Sequence, residues 1–292
     1  MALSKPLISF FLELYEKNFF KNLETVLDMG DIDLAGDLNF LKSEFLKKKI
    51  NINEEDFKRS ISYPDRPRTS SSTFWKQLGF SKTHRLDMEK LPRMNKKDED
   101  DCFIVDLNYP ISKKLPLDQY DLVTDFGNNE HPFNIAQTYK SMHSLTKKSG
   151  YIFITQSYIN GNGFYNFDFS FFESMAMANN YKIVSNFYIL YNNVYEDLIA
   201  PINSDILDLI KYEKVKDGIG INYLFQKTND DDFKYPYQGI GISPIKDTIY
   251  QPGYFYNTTP PTRSYIPTDI NSLSGRLIIK ILLKKIFDKF KI

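Results

Sequence analysis

Four short strand-like runs in this chain each end in an acid. Thr25-Val26-Leu27 closes on Asp28, with Met29 and Gly30 behind it, and residues 82–86 close on Asp87. Residues 102–105 close on Asp106, followed by Leu107 and Asn108, and residues 120–124 close on Asp125, followed by Phe126 and Gly127. Carboxylates lined up at one edge suit a ligand rich in hydroxyls and amines. One acid accepts both hydrogen bonds of a ribose diol, an exocyclic amine donates to another, and a ligand ammonium pairs with a third. Acids at strand ends also serve as turn formers and helix caps, so four in succession carry more weight than any one. The chain has neither a GxGxxG nor a P-loop lysine, which argues against dinucleotide and phosphoryl-transfer chemistry.

A second concentration follows the fourth acid: Asn128-Asn129-Glu130-His131-Pro132-Phe133-Asn134. An imidazole changes charge near neutral pH, so His131 suits removal of a proton from an attacking hydroxyl or amine. Glu130 would orient that ring or cap the helix that follows. A third candidate is Ser157-Tyr158-Ile159-Asn160-Gly161-Asn162-Gly163-Phe164-Tyr165. Its two glycines permit an unusual loop, and Asn162 and Tyr165, with Asn134 from the loop before, are the expected substrate contacts. His84 and His143 have no comparable surroundings and read as structural or surface residues. Cys102, the single cysteine, stands at a strand start with no catalytic motif around it, and a lone thiol allows no intrachain disulfide, which fits a reducing, cytoplasmic setting.

These groups need elements to hold them. Helical spacing is expected over residues 5–22, 37–48, 73–78 (capped by Ser72), 134–146 and 167–179. Strands are expected over 25–28, 82–87, 102–106, 120–125, 151–155, 181–191 and 220–227. Strands alternating with helices give an α/β fold, a mainly parallel sheet with helices on both faces. Ligands bind such sheets beyond the carboxyl ends of the strands, where strand order reverses. The chain's 292 residues, 42% hydrophobic, suffice for one large domain. Its 37 basic and 37 acidic residues balance, which supplies no electrostatic reason to expect nucleic acid.

The order Val26-Leu27-Asp28-Met29-Gly30, Asp87, Val105-Asp106-Leu107-Asn108 and Tyr120–Gly127 resembles the class I S-adenosylmethionine-dependent methyltransferases, with 145–151 similar to their glycine-led fifth strand. The resemblance spans about residues 20–228. It implies a Rossmann-like seven-stranded sheet with the last strand antiparallel, S-adenosylmethionine as cofactor, and a small polar acceptor such as a sugar or nucleotide-sugar. It places Asp28 and Gly30 near the cofactor's methionine part, Asp87 at the ribose, Asp106 and Leu107 at the adenine, and Asp125, Phe126 and Gly127 at the methyl-transfer end. No metal is expected, since Asn128 and Asn129 stand where carboxylate-rich relatives carry a second Glu. Two departures stand out. The first motif has one glycine, Gly30, before Gly36, and about twice the usual gap separates it from Asp87. A non-catalytic binding protein of the same fold is the alternative.

The domain expected over 1–228 is followed by a Pro/Tyr/Gly-rich arm, 229–271, and by a helix, 272–292. Within 276–292 six basic residues and one acid, Asp288, give a net +5 on an amphipathic pattern. Such a helix packs on its own chain, joins two copies, or lies on an anionic membrane surface.

Overall fold

A computed structural model describes residues 2–35, 38–59, 69–89, 101–112, 119–159, 161–191, 198–202 and 218–237. In chain order the elements are β1 (Ala2–Leu3), α1 (Lys5–Glu16), β2 (Thr25–Asp28), β3 (Asp33–Leu34), α2 (Leu38–Lys47), α3 (Glu54–Arg59), α4 (Ser71–Gln77), β4 (Lys82–Asp87) and β5 (Cys102–Ile104). There follow β6 (Tyr120–Phe126), α5 (Ile135–Leu145), β7 (Thr146–Ile159), α6 (Phe169–Ala178), β8 (Lys182–Leu190), β9 (Leu198–Pro201) and β10 (Ile219–Gln226).

The main sheet runs β5-β4-β2-β6-β7-β10-β8-β9. From β5 to β7 all neighbours are parallel, and β10 is antiparallel to both β7 and β8. This is the expected seven-stranded, mainly parallel sheet with its last strand reversed, extended by one short antiparallel edge strand, β9. Strand order reverses between β2 and β6, whose carboxyl ends lie side by side with Asp28 opposite Thr124.

Two buried clusters show why the strands sit as they do. Leu122, Phe153 and Leu224 face one side of the sheet, and Val123, Ile152, Ile154, Tyr223 and Phe225 face the other. That is the period of two expected of strands covered on both faces. The first face packs on α1, α2 and α4 through Phe11, Phe45, Phe74 and Trp75, and the second on α5 and α6 through Tyr139, Met142, Phe172 and Met175. No side chain caps the start of α1 at Ser4. A cap is worth about 1 kcal/mol, whereas each buried Phe or Leu contributes roughly 2 kcal/mol, so its six buried apolar residues hold this helix in place.

Several boundaries differ from expectation. Helix α1 stops at Glu16 instead of residue 22, because Asn18 adopts φ 57° and Phe19 donates back to the Leu14 carbonyl, a left-handed helix ending that asparagine tolerates. Ser70, not Ser72, caps α4, accepting from the Ser72 amide. Strand β7 begins at Thr146, well before the expected 151. The pairing slips between Tyr120 and Leu122 and Ser149 sits at φ 64°. A Cβ on Gly150 would lie 2.9 Å from the Lys147 carbonyl, so the strand crosses this irregularity only with glycine there.

Residues 227–237 run on along the core. Phe233 joins the second cluster, Lys227 donates to the His143 and Thr146 carbonyls at the end of α5, and Asn179 bonds Lys234. The remainder of the expected arm, 238–271, and the expected helix 272–292 lie outside the described residues, as does Gly36. No helix among the described residues is long and apolar enough to cross a membrane.

Candidate active site

Beyond β2 the chain turns at Gly30, whose φ of 147° and 3.0 Å clearance from Ile32 favour glycine. The expected Asp28 is 1% exposed and bonded inward. It accepts from Ser71 Oγ (2.5 Å), from Trp75 Nε1 (3.1 Å) and from Thr124 Oγ1. Burial pushes its carboxyl up to about 6, against these hydrogen bonds and the nearby Arg85 charge. Asp28 therefore anchors α4 to the sheet, and it is the backbone after it that stands at the carboxyl edge of the sheet.

The turn itself is held by a pair that the sequence reading missed. Arg85 Nη1 donates to Asp31 Oδ1 (2.7 Å) and Ser70 Oγ (3.0 Å), both ion-pair side chains being 1% exposed. The Asp31 amide donates to Asp87 Oδ2 (2.7 Å). Asp87, partly exposed, thus keeps the first turn in register with β4, while its Oδ1 accepts from Met88. A charged residue inside a parallel strand is costly unless paired, which is the signal Arg85 offered. One strand further out, Asp106 is exposed, its Oδ1 accepting from the Asn108 amide and side chain, and Leu107 is buried beside it.

On the other side of the reversal, Asp125 is fully buried. Its Oδ1 accepts from the Asn128 (2.8 Å) and Asn129 (3.2 Å) amides, and Gln156 donates to Oδ2. Burial first, and then the Glu130 charge, raise its carboxyl to about 8, against those hydrogen bonds. Gly127 turns at φ 82°. The Phe126 ring lies in the aromatic core, 5.6 Å from Phe153 and 6.1 Å from Phe11, so only its backbone can line a site.

Glu130 does not cap α5. Its Oε2 accepts from the Ser157 amide (3.0 Å), and its Oε1 lies 4.0 Å from His131 Nε2, with the ring partly exposed. The cap is Asn134. Its Oδ1 accepts from Gln137, its amide donates to Asn108 Oδ1 and its Nδ2 to the Asn108 carbonyl. Asn134, expected as a substrate contact, thus also ties the β5 and β6 loops together.

The loop after β7 closes over Glu130. A Cβ on Gly163 would lie 2.5 Å from Glu130 Cγ, and one on Gly161 2.5 Å from Ser157 Cβ. Phe164 donates its amide to the Glu130 carbonyl (2.8 Å), and Tyr165 its hydroxyl to the Phe133 carbonyl (2.7 Å). Asn162 is exposed on this loop.

Asp28, Asp87, Asp106 and Asp125 thus share one edge, with Glu130, His131, Asn162 and Tyr165 at its β6–β7 end. Beneath them Gln156 Oε1, Asn129 Oδ1 and the Tyr139 hydroxyl are buried without a hydrogen-bond partner among the described residues. Burial, with the Asp125 and Glu130 charges nearby, raises the Tyr139 hydroxyl well above its ordinary value. Among the described residues no group of three or more His, Cys, Asp or Glu could hold a metal. His84 bonds Tyr120, and His143 bonds Tyr181 and the Asp231 carbonyl, both structural as expected.

No family model and no curated protein matches the chain. Among solved structures it is similar to an O-methyltransferase of a trans-AT polyketide synthase multienzyme from Brevibacillus brevis, in complex with S-adenosylhomocysteine. The identity is 12%, with 75% of this chain and 71% of that chain covered and a TM-score of 0.39. An S-adenosylmethionine-dependent methyltransferase from Clostridium acetobutylicum is 13% identical, with coverages of 76% and 91% and a TM-score of 0.31. A TehB-like S-adenosylmethionine-dependent methyltransferase from Corynebacterium glutamicum is 12% identical, with coverages of 73% and 87% and a TM-score of 0.37. All three scores are below 0.5, and the fold assignment rests on strand order and register.

Proposed function

We propose that this chain binds S-adenosylmethionine along the β2–β4–β5 edge and transfers its methyl group to an oxygen or nitrogen of a small polar acceptor, a sugar or nucleotide-sugar being the favoured class. The observation that carries this reading is the division of the edge at the β2/β6 reversal. On one side lie the turn at Gly30 and the accessible acids Asp87 and Asp106. On the other lies a polar cluster, with three unpartnered buried atoms, roofed by the loop of Asn162 and Tyr165.

The donor set fits the cofactor. Asp87 retains acceptor capacity for a ribose diol and Asp106 for an adenine amine. When bound, S-adenosylmethionine supplies an electrophilic methyl on sulfonium. The chain's own contribution is to hold the acceptor in line, which is worth much of the barrier, and to receive its proton. His131, partly exposed at the rim, takes the proton from the attacking O–H or N–H, and the charged ring that results faces Glu130 at 4.0 Å. Asp125, which holds its own proton near neutrality, adds little charge beneath that pair.

Calorimetric titration of the purified protein with S-adenosylmethionine and S-adenosylhomocysteine tests the reading first. Binding in the micromolar range, lost in Asp106→Ala, is expected. A well-folded sample that binds neither would replace the enzyme by a binding protein of the same fold.

A further inference from the structure

Two phenylalanines at the rim have no part in the chemistry just described. Phe133 is 76% exposed and Phe164 72%, yet their rings meet edge to face, with centroids 6.3 Å apart and planes at 86°. They stand on different loops, one two residues after His131, the other between Gly163 and Tyr165. Both loops are held in place. The Tyr165 hydroxyl grips the Phe133 carbonyl, the Phe164 amide grips the Glu130 carbonyl, and Gly163 is seated against Glu130 where no Cβ fits. Behind them the Tyr165 ring, 6.4 Å from Phe164, lies 6.3 Å from Phe167, which belongs to the core.

We infer that Phe133 and Phe164 form an aromatic corner that receives a planar or apolar ring carried by the acceptor beside its nucleophilic atom. This rests on the methyl-transfer reading and narrows its substrate class from any small polar molecule to one with a ring face, such as an aryl-substituted sugar. A pair of rings at right angles offers one face and one edge to a third ring, the geometry aromatic groups prefer. Burying a phenylalanine is strongly favourable, and loops whose backbone is already held lose little freedom on binding. The corner shares its loops with His131, Asn162 and Tyr165, so a ring seated there leaves polar substituents beside the proposed base.

The test uses the full chain loaded with S-adenosylhomocysteine, with phenyl β-glucoside and methyl β-glucoside as probes, in the wild type and in Phe133→Ala/Phe164→Ala. Phe133→Leu/Phe164→Leu serves as a variant that keeps apolar volume, and melting curves confirm folding. The phenyl probe should bind the wild type about tenfold or more tightly than the methyl probe, and the alanine variant should lose that difference. S-adenosylhomocysteine affinity should be equal in all three proteins, since the corner lies outside the cofactor edge. Cofactor binding with no discrimination between probes, or with discrimination that survives both alanines, overturns the corner while leaving methyl transfer standing. Absence of cofactor binding in the wild type overturns both. Sedimentation of the wild type as a dimer that the alanines convert to monomer would reassign the corner to a second copy of the chain.

Discussion

The role proposed for His131 rests on one imidazole and one buried acid 4.0 Å away. His131→Ala should leave S-adenosylhomocysteine binding unchanged and slow transfer by about 10²–10⁴. Transfer at the wild-type rate would remove His131 from the mechanism. Asp125 makes a different prediction. Its carboxyl is raised from 3.8 to about 8 in the folded protein, so the native state holds that proton more firmly than the unfolded chain does. The stabilisation is complete below the unfolded value, erodes as pH rises, and is gone once pH has passed about 8. Asp125→Asn keeps an acceptor for the Asn128 and Asn129 amides but does not titrate. Thermal melts from about pH 5 to 9 should fall less steeply for this variant than for the wild type; parallel curves would contradict a proton held at Asp125. The residues named from the four acid-ended runs do reach a common edge. The direction of each side chain was hidden, because Asp28 and Phe126 lie on the buried side of the strand end and only the packing of α1 and α4 reveals it.

Between elements, glycine and one buried ion pair hold the loops. Gly163→Ala forces a methyl against the Glu130 backbone carbonyl, 2.6 Å from where its Cβ would stand. Overpacking of this kind costs about 1–3 kcal/mol, and the β7 loop should lift from Glu130, weakening acceptor binding more than cofactor binding in paired titrations. Arg85→Met leaves Asp31 buried without its cation, and breaking such a pair costs about 3–5 kcal/mol. A drop in denaturation midpoint with an unchanged slope would show that cost; a shift within error would mean the pair is not buried in solution. The central strands β6, β8 and β10 were legible from their apolar runs because they are buried on both faces, whereas the short β1, β3 and β9 carry no such run and were not expected. The ends of α1 and α4 and the start of β7 were not legible, since they depend on a left-handed Asn18, on which of three consecutive serines faces Arg85, and on a slip in pairing around Gly150.

At the scale of the molecule, the proposed cofactor edge spans three parallel strands, and the turns after β2 and β4 are joined by the Asp31 amide and Asp87, so a ligand there should stabilise the whole sheet and not one lobe. S-adenosylhomocysteine at a hundred times its dissociation constant should add about 2.7 kcal/mol, seen as a single melting transition displaced upward by several degrees. A separate transition that ignores the ligand would show that the β8–β10 half unfolds independently.

The position of β10 has a consequence for how the chain is made. The last strand among the described residues lies sixth in the sheet, between β7 and β8, and contributes Tyr223, Leu224 and Phe225 to both cores. While the ribosome has yet to release residues 219–226, β7 and β8 each present an unpaired edge and both cores lack a wall. Neither core can be completed before this strand is made, and any strand pairing formed earlier leaves edges open to other nascent chains.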